Sequence, residues 1–351
     1  MHQLIALAPG LVFLAALWFM DTFRLVRASS IATALLYGAA AALGCEALHA
    51  WLMPAAGLDQ QSFSRYVAPL TEETAKAVLI GVLIARGRIG FLVDAAVLGF
   101  AVGTGFALVE NATYLRDFAD APLALWAVRG LGTGVLHAAT TAVAAMVGKA
   151  IADRHQRVTL AIVPGMALAI VIHSLYNHLL VFPAVGAVLM LVALPVVVVA
   201  VFERSERATR EWVGAGLDLD LTLLQLIMSE GFQTTRFAKY LGTLPSRFDG
   251  AVVADMYCLL RVELELAVQA KAWLLAHEAG LDLPIDDDLH AALAERTYLR
   301  TSIGRTGLLA LEPLRVTSHR DYWHHHLLAQ AGARERLKQR WQRWFKKRDA
   351  S

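Results

Sequence analysis

Long apolar runs bounded by charge or proline recur through the first part of the chain. They fall at roughly 3–20, 30–53, 67–85, 91–115, 126–148, 158–181 and 184–202. Each has about the 17–25 residues that a helix needs to cross a bilayer core, so the pattern predicts about seven spans. Beyond about residue 204 the pattern changes to amphipathic. Helices are predicted near 218–242, 250–279 and 321–347, with breaks near Pro245, Gly280 to Pro284, and Pro313. The expected fold is all-α: a polytopic membrane helix bundle over 1–203, then a soluble helical domain over 204–351.

Composition supports this division. Of the 351 residues 57% are hydrophobic and mean hydropathy is +0.51, well above soluble domains. Roughly two thirds of the Lys, Arg, Asp and Glu lie beyond Glu203. Positive charge alternates between loops. Arg24, Arg27, Arg86, Arg88, Lys149, Arg154, Arg157, Arg204 and Arg207 fall on one side, against Arg65, Arg116 and Arg129 on the other. The positive-inside rule then puts the N-terminus outside and the C-terminal domain in the cytoplasm of an inner (plasma) membrane protein. The N-terminal run lacks a basic n-region and a cleavage site, and reads as an uncleaved span. A net charge of +2 gives no case for nucleic acid. Cys45 and Cys258 are expected in different compartments and unpaired. A basic, aromatic-bearing stretch around Trp341, Trp344 and Phe345 suits an anionic leaflet.

Five residues inside the spans resist a purely structural reading: Glu72, Glu73, Glu110, His137 and His173. A charge at mid-bilayer costs roughly 2.5–3.5 kcal/mol on insertion scales and persists by facing a partner or a watery cavity. At about 1.5 Å per residue the three acids lie about 8 Å below the outer ends of their spans, and the histidines about 15 Å. Antiparallel neighbours thus bring all five to the outer half of the bilayer. Lys76 follows Glu72 and Glu73 at helical spacings of four and three, and balances them. Ala95, Gly99, Gly103 and Ala107 form a small-residue stripe that admits close helix approach, and Glu110 and Asn111 continue it. Asn177, four residues after His173, is placed to orient the imidazole or offer its amide to a carbonyl. Asp94, near the inner surface, reads as solvated. Glu46 and His49, three residues apart in the outer part of the second run, read first as a local pair or interface residues and second as an extension of the site or a diiron-like cluster.

The ordered set resembles the PrsW-type intramembrane proteases, distantly akin to the membrane CAAX endopeptidases. Glu72-Glu73-Thr74-Ala75-Lys76 is similar to their EExxK motif, and Phe106 to Asn111 to their second, glutamate-bearing motif. His137 and His173 to Asn177 are similar to the later single-histidine and HxxxN elements. The likeness covers about residues 60–182. It implies proteolysis of a membrane-anchored protein, which for PrsW itself is an anti-sigma factor cut on its extracytoplasmic side. The long C-terminal domain lies outside that pattern; a cytoplasmic regulator is one expected partner for it.

Peptide hydrolysis needs an activated water, an oxyanion stabiliser and an acid for the leaving amine. Glu72 or Glu73 is the expected base, and His173 with Asn177 the oxyanion stabiliser. Glu110 and His137 either position the water or bind a metal. Glu110, His137 and His173 make a three-ligand zinc set with an open fourth position. A glutamate mechanism and a metal mechanism both stand at this stage. The rival class is an ion or metal transporter using the same buried cluster.

Overall fold

In the computed structural model, residues 1–21, 26–154, 160–178, 182–279, 281, 287–314 and 328 are described, and every regular element among them is helical. The chain clusters into two compact units, Met1–Glu206 and Arg207–Ser351.

The first unit opens with α1 (His2–Met20), α2 (Ala28–Ala56) and a one-turn α3 (Gln60–Ser62), whose free N–H groups are capped by the Asp59 carboxylate. A π-helical stretch, Phe63–Val67, leads into α4 (Ala68–Ala85), followed by α5 (Leu92–Asp117) and α6 (Leu123–Val128). A second π-helical stretch, Arg129–Gly134, leads into α7 (Val135–Ala152), and then come α8 (Ile162–Asn177) and α9 (Pro183–Met228). By length and composition, four helical stretches among the described residues are able to cross a membrane: His2–Met20, Ala28–Ala56, Leu92–Asp117 and Leu123–Ala152. The other three expected runs are helical but differ from the expectation. Helix α4 carries Glu72, Glu73 and Lys76, α8 is 16 residues long, and the apolar part of α9 is Pro183–Ala193.

Helix α5 is the hub. It is buried on all sides from Val93 to Ala107 and packs against α1, α2 and α7. Its glycines make that possible. A Cβ on Gly99 would meet the Thr141 backbone, one on Gly103 the His137 carbonyl and Ala138, and one on Gly105 the Leu35 backbone. The small-residue stripe expected from the sequence is therefore the seam that brings α7 against α5. Because the atom beyond Gly103 is His137's own carbonyl, this contact sets the depth of a candidate site residue. Gly103→Val is expected to cost about 1–3 kcal/mol through overpacking and to lower activity with it. Thermal denaturation in detergent measures the cost, with Gly44→Ala, where an added Cβ meets open space, as control; equal melting of the two variants would contradict the account.

Asp94 corrects the sequence expectation. It is buried at 7% exposure, and its Oδ2 accepts from the backbone N–H groups of Gly90 and Phe91. At the third residue of α5 it satisfies donors that no helical partner reaches, which is why it is not solvated.

In the second unit, α9 continues to Met228 and is followed by α10 (Arg236–Leu241), α11 (Gly250–Glu278) and α12 (Asp287–Ala310). Its core includes Met256, Leu259, Val262, Leu266 and Ala270 of α11 with Leu299 and Ile303 of α12. Lys271 and Asp220 form a buried ion pair at 2.6 Å. Helix α11 coincides with its expected range, whereas α9 runs past the expected break near 204 and α12 was not foreseen. The expected helix at 321–347, with its aromatic and basic residues, lies outside the described residues but for Leu328, as do Arg24, Arg157 and Pro284.

Candidate active site

Helix α4 begins with a proline, Pro69, in its first turn, where a missing N–H is no loss. From there Glu72, Glu73, Lys76, Ala77, Ile80 and Ile84 recur every three or four residues as its buried stripe. The polar head of that stripe meets α5, α7 and α8.

Glu73 is the most heavily engaged acid. Its Oε1 accepts from Lys76 Nζ at 2.6 Å, His173 Nδ1 at 2.8 Å and Thr140 Oγ1 at 3.2 Å. Lys76 is wholly buried at 0% exposure, so this carboxylate is its counter-charge. The same ammonium donates to His137 Nδ1 at 3.0 Å and lies 4.8 Å over the Phe106 ring. His137 donates through Nε2 to Glu110 Oε2 at 2.8 Å. The two imidazoles meet edge to face with centroids 4.9 Å apart.

Glu72 differs from its neighbour. Its Oε2 stands 4.0 Å from His137 Nδ1 and is buried without a hydrogen-bond partner. Glu72, His137 and His173 each offer a ligand atom, all within 4.8 Å of one another. Both imidazoles give an N–H to a carboxylate through one nitrogen, the arrangement that orients metal-binding histidines. Donor chemistry, spacing and the orphaned Glu72 oxygen fit a divalent ion. The one competitor is Lys76, whose ammonium uses the His137 Nδ1 lone pair. Glu110, placed in the zinc set by the sequence reading, instead braces His137 from behind and pairs with Arg129 Nη2 at 3.2 Å.

All five sequence-selected residues thus converge. The two supporting asparagines spend their amides on other partners. Asn177 donates to the Ser64 carbonyl at 2.9 Å, and Ser174 to the Arg65 carbonyl at 2.6 Å, which together clamp α8 to the first π-helical stretch. Asn111 donates to the Ala6 carbonyl of α1 at 2.8 Å and accepts from Arg129 Nε at 3.1 Å. Arg129 was missed as a site residue, because an arginine before a glycine-rich run reads as a loop charge. Glu72, Glu110, His137 and His173 open onto a cavity of about 530 Å³, whose wall also carries Glu46, His49, Phe63, Arg129, Tyr176 and Asn177. His49 bonds to Thr71 at 2.6 Å.

This is a buried carboxylate–imidazole centre at the wall of a cavity in a helical membrane bundle. The model of the PrsW family intramembrane metalloproteases matches residues 21–202, just over half of the chain. The protein belongs to that family and is a membrane peptidase by family. No curated protein and no solved structure matches the chain.

Proposed function

We propose that this protein is a metal-dependent intramembrane endopeptidase that cuts a membrane-anchored protein near the outer side of the bilayer, with Glu72 as the carboxylate that meets the reacting water. The observation behind this is the contrast between the paired acids. Glu73 holds three donors, while Glu72 has a buried oxygen with none and stands on the cavity wall. One oxygen of that carboxylate would serve an ion, and the other, with no donor bound to it, is left to take a proton from water and return it to the leaving amine. Glu110 has both oxygens engaged, one by Arg129 and the other by His137.

Glu72, His137 and His173 are the residues that would hold the ion, zinc being the first candidate. When bound, such an ion acidifies water and polarises the scissile carbonyl. Glu73 and Glu110 each receive an imidazole N–H and fix the ring that carries it. Lys76 balances the charge of Glu73 at 2.6 Å.

The membrane arrangement belongs to the same reading. About seven spans place the N-terminus outside and residues 204–351 in the cytoplasm of the inner membrane, with the site in the outer half. An anti-sigma factor is the substrate class that the PrsW resemblance brings, and the cytoplasmic domain is a place for a regulator. The family match and the partner-free carboxylate favour hydrolysis over ion or metal transport. The experiment is cleavage of a single-span substrate by the purified protein in liposomes, with elemental analysis. Cleavage is expected to stop on chelation and return with Zn²⁺; cleavage that persists in fully chelated, metal-free protein would contradict the metal assignment.

A further inference from the structure

We propose that Arg129 is a positioning residue for the reaction: it holds Glu110 so that His137 keeps its Nε2–H on that carboxylate and keeps its Nδ1 lone pair on the inner side of the site, beside Lys76 and Glu72. This rests on the peptidase reading above and adds to it a residue that acts through two others.

Arginine is rarely nine-tenths buried inside an apolar bundle, yet Arg129 is 9% exposed. It is fixed from three directions. Its Nε donates to Asn111 at 3.1 Å, its guanidinium carbon lies 3.4 Å from the centroid of the Tyr114 ring, and its Nη2 stands 3.2 Å from Glu110 Oε1. A planar cation held on its face and at its edge has little freedom to turn. Asn111 is anchored in turn by its bond to the Ala6 carbonyl. That carbonyl belongs to α1, which precedes the residues matched by the family model. Gly130 seats the same segment, since a Cβ there would meet the Ile5 carbonyl.

The other oxygen of Glu110 takes the His137 proton at 2.8 Å. A half-buried carboxylate with Arg129 on one oxygen remains an acceptor at the other, so the imidazole is held as the Nε2–H tautomer. Without that partner one oxygen of Glu110 is unheld, so the carboxylate can turn and free the ring to flip. The beginning of a π-helical stretch at Arg129 accounts for its reach, because the wider turn re-aims the side chain relative to an α-helix.

The test is a double-mutant cycle on the full-length protein, with wild type, Arg129→Gln, Glu110→Gln and the double variant, plus Arg129→Lys. It reads kcat and KM on a single-span substrate, and Zn²⁺ affinity by competition with a chromophoric chelator. Arg129→Gln is expected to lower kcat about 10–100-fold and weaken Zn²⁺ binding about 10–100-fold, with KM little changed. The double variant is expected to be no worse than Glu110→Gln alone, because the arginine acts through that carboxylate. Arg129→Lys keeps the charge but loses the fork and the stack, so a smaller loss in the same direction is expected. Wild-type kcat and Zn²⁺ affinity in Arg129→Gln, or losses that multiply in the double variant, would overturn the inference. If Arg129→Gln does not fold, wild-type values in Arg129→Lys overturn it equally. A wild-type protein that neither cleaves nor binds Zn²⁺ removes the peptidase reading and this inference together, whereas an active wild type with indifferent Arg129 variants removes this inference alone.

Discussion

Glu72→Gln is expected to lower the rate of substrate cleavage by about 10²–10⁴-fold, the range for loss of a proton-transfer group, while leaving the fold intact. Glu72 makes no hydrogen bond through its buried Oε2 and carries no counter-ion at bonding distance. A neutral amide of the same shape therefore breaks no partner's bond, and relieves the desolvation of a charge that is 9% exposed. The melting temperature should stay at or above that of wild type. Single-turnover cleavage in detergent, with a parallel thermal scan, separates chemistry from folding. A Glu72→Gln protein that cleaves at the wild-type rate would remove Glu72 from the reaction.

Glu73→Ala is expected to fail differently. Its carboxylate is the shared acceptor of Lys76, His173 and Thr140. Removing it leaves an ammonium at 0% exposure with no anion at bonding distance. Breaking a buried pair by deleting one partner costs about 3–5 kcal/mol, a large part of a small domain's stability. Activity should fall as well, but as a consequence of a loosened α4–α7–α8 junction. The diagnostic is second-site relief: Glu73→Ala with Lys76→Met removes both charges and should recover stability without recovering cleavage. Glu73→Ala melting at the same temperature as Glu72→Gln would contradict the division of labour between the paired acids.

How much of this was legible in the sequence depends on the range of each interaction. Helical spacing alone placed Glu73 and Lys76 on one face, and they are bonded. The same spacing suggested Glu72 with Lys76, but a lysine shared with His137 has only one place to point, and Glu72 looks toward the imidazole instead. The stripe Ala95, Gly99, Gly103 and Ala107 was readable because side-chain size is a local property that directly limits how close two helices come. A common place in the outer half of the bilayer was enough to group Glu110, His137 and His173 without any knowledge of helix order.

Long-range partners were not readable. Asn177 bonds to Ser64, 113 residues away, and Asn111 to Ala6, 105 residues away. Neither choice leaves a mark in local pattern. Arg129 reads as a loop charge in the sequence, because hydropathy records that an arginine is costly in lipid but not that a glutamate and a tyrosine await it. Helix α9 outlasts the expected boundary near 204, since the onset of charge marks a change of surroundings and not of backbone. Helix α12 was missed for a related reason. It is interrupted by Gly304 in a positive-φ conformation and is nearly neutral in hydrophobicity, so neither its period nor its ends stand out.

The measurement that bears most directly on the shared site is X-ray absorption on Zn²⁺-loaded protein, repeated on the Glu72→Gln, His137→Gln and His173→Gln variants. The account predicts two imidazole nitrogens and one carboxylate in the wild-type ligand shell, with loss of the corresponding ligand in each variant. A shell unchanged in all three variants, or one built from residues other than these, would contradict it.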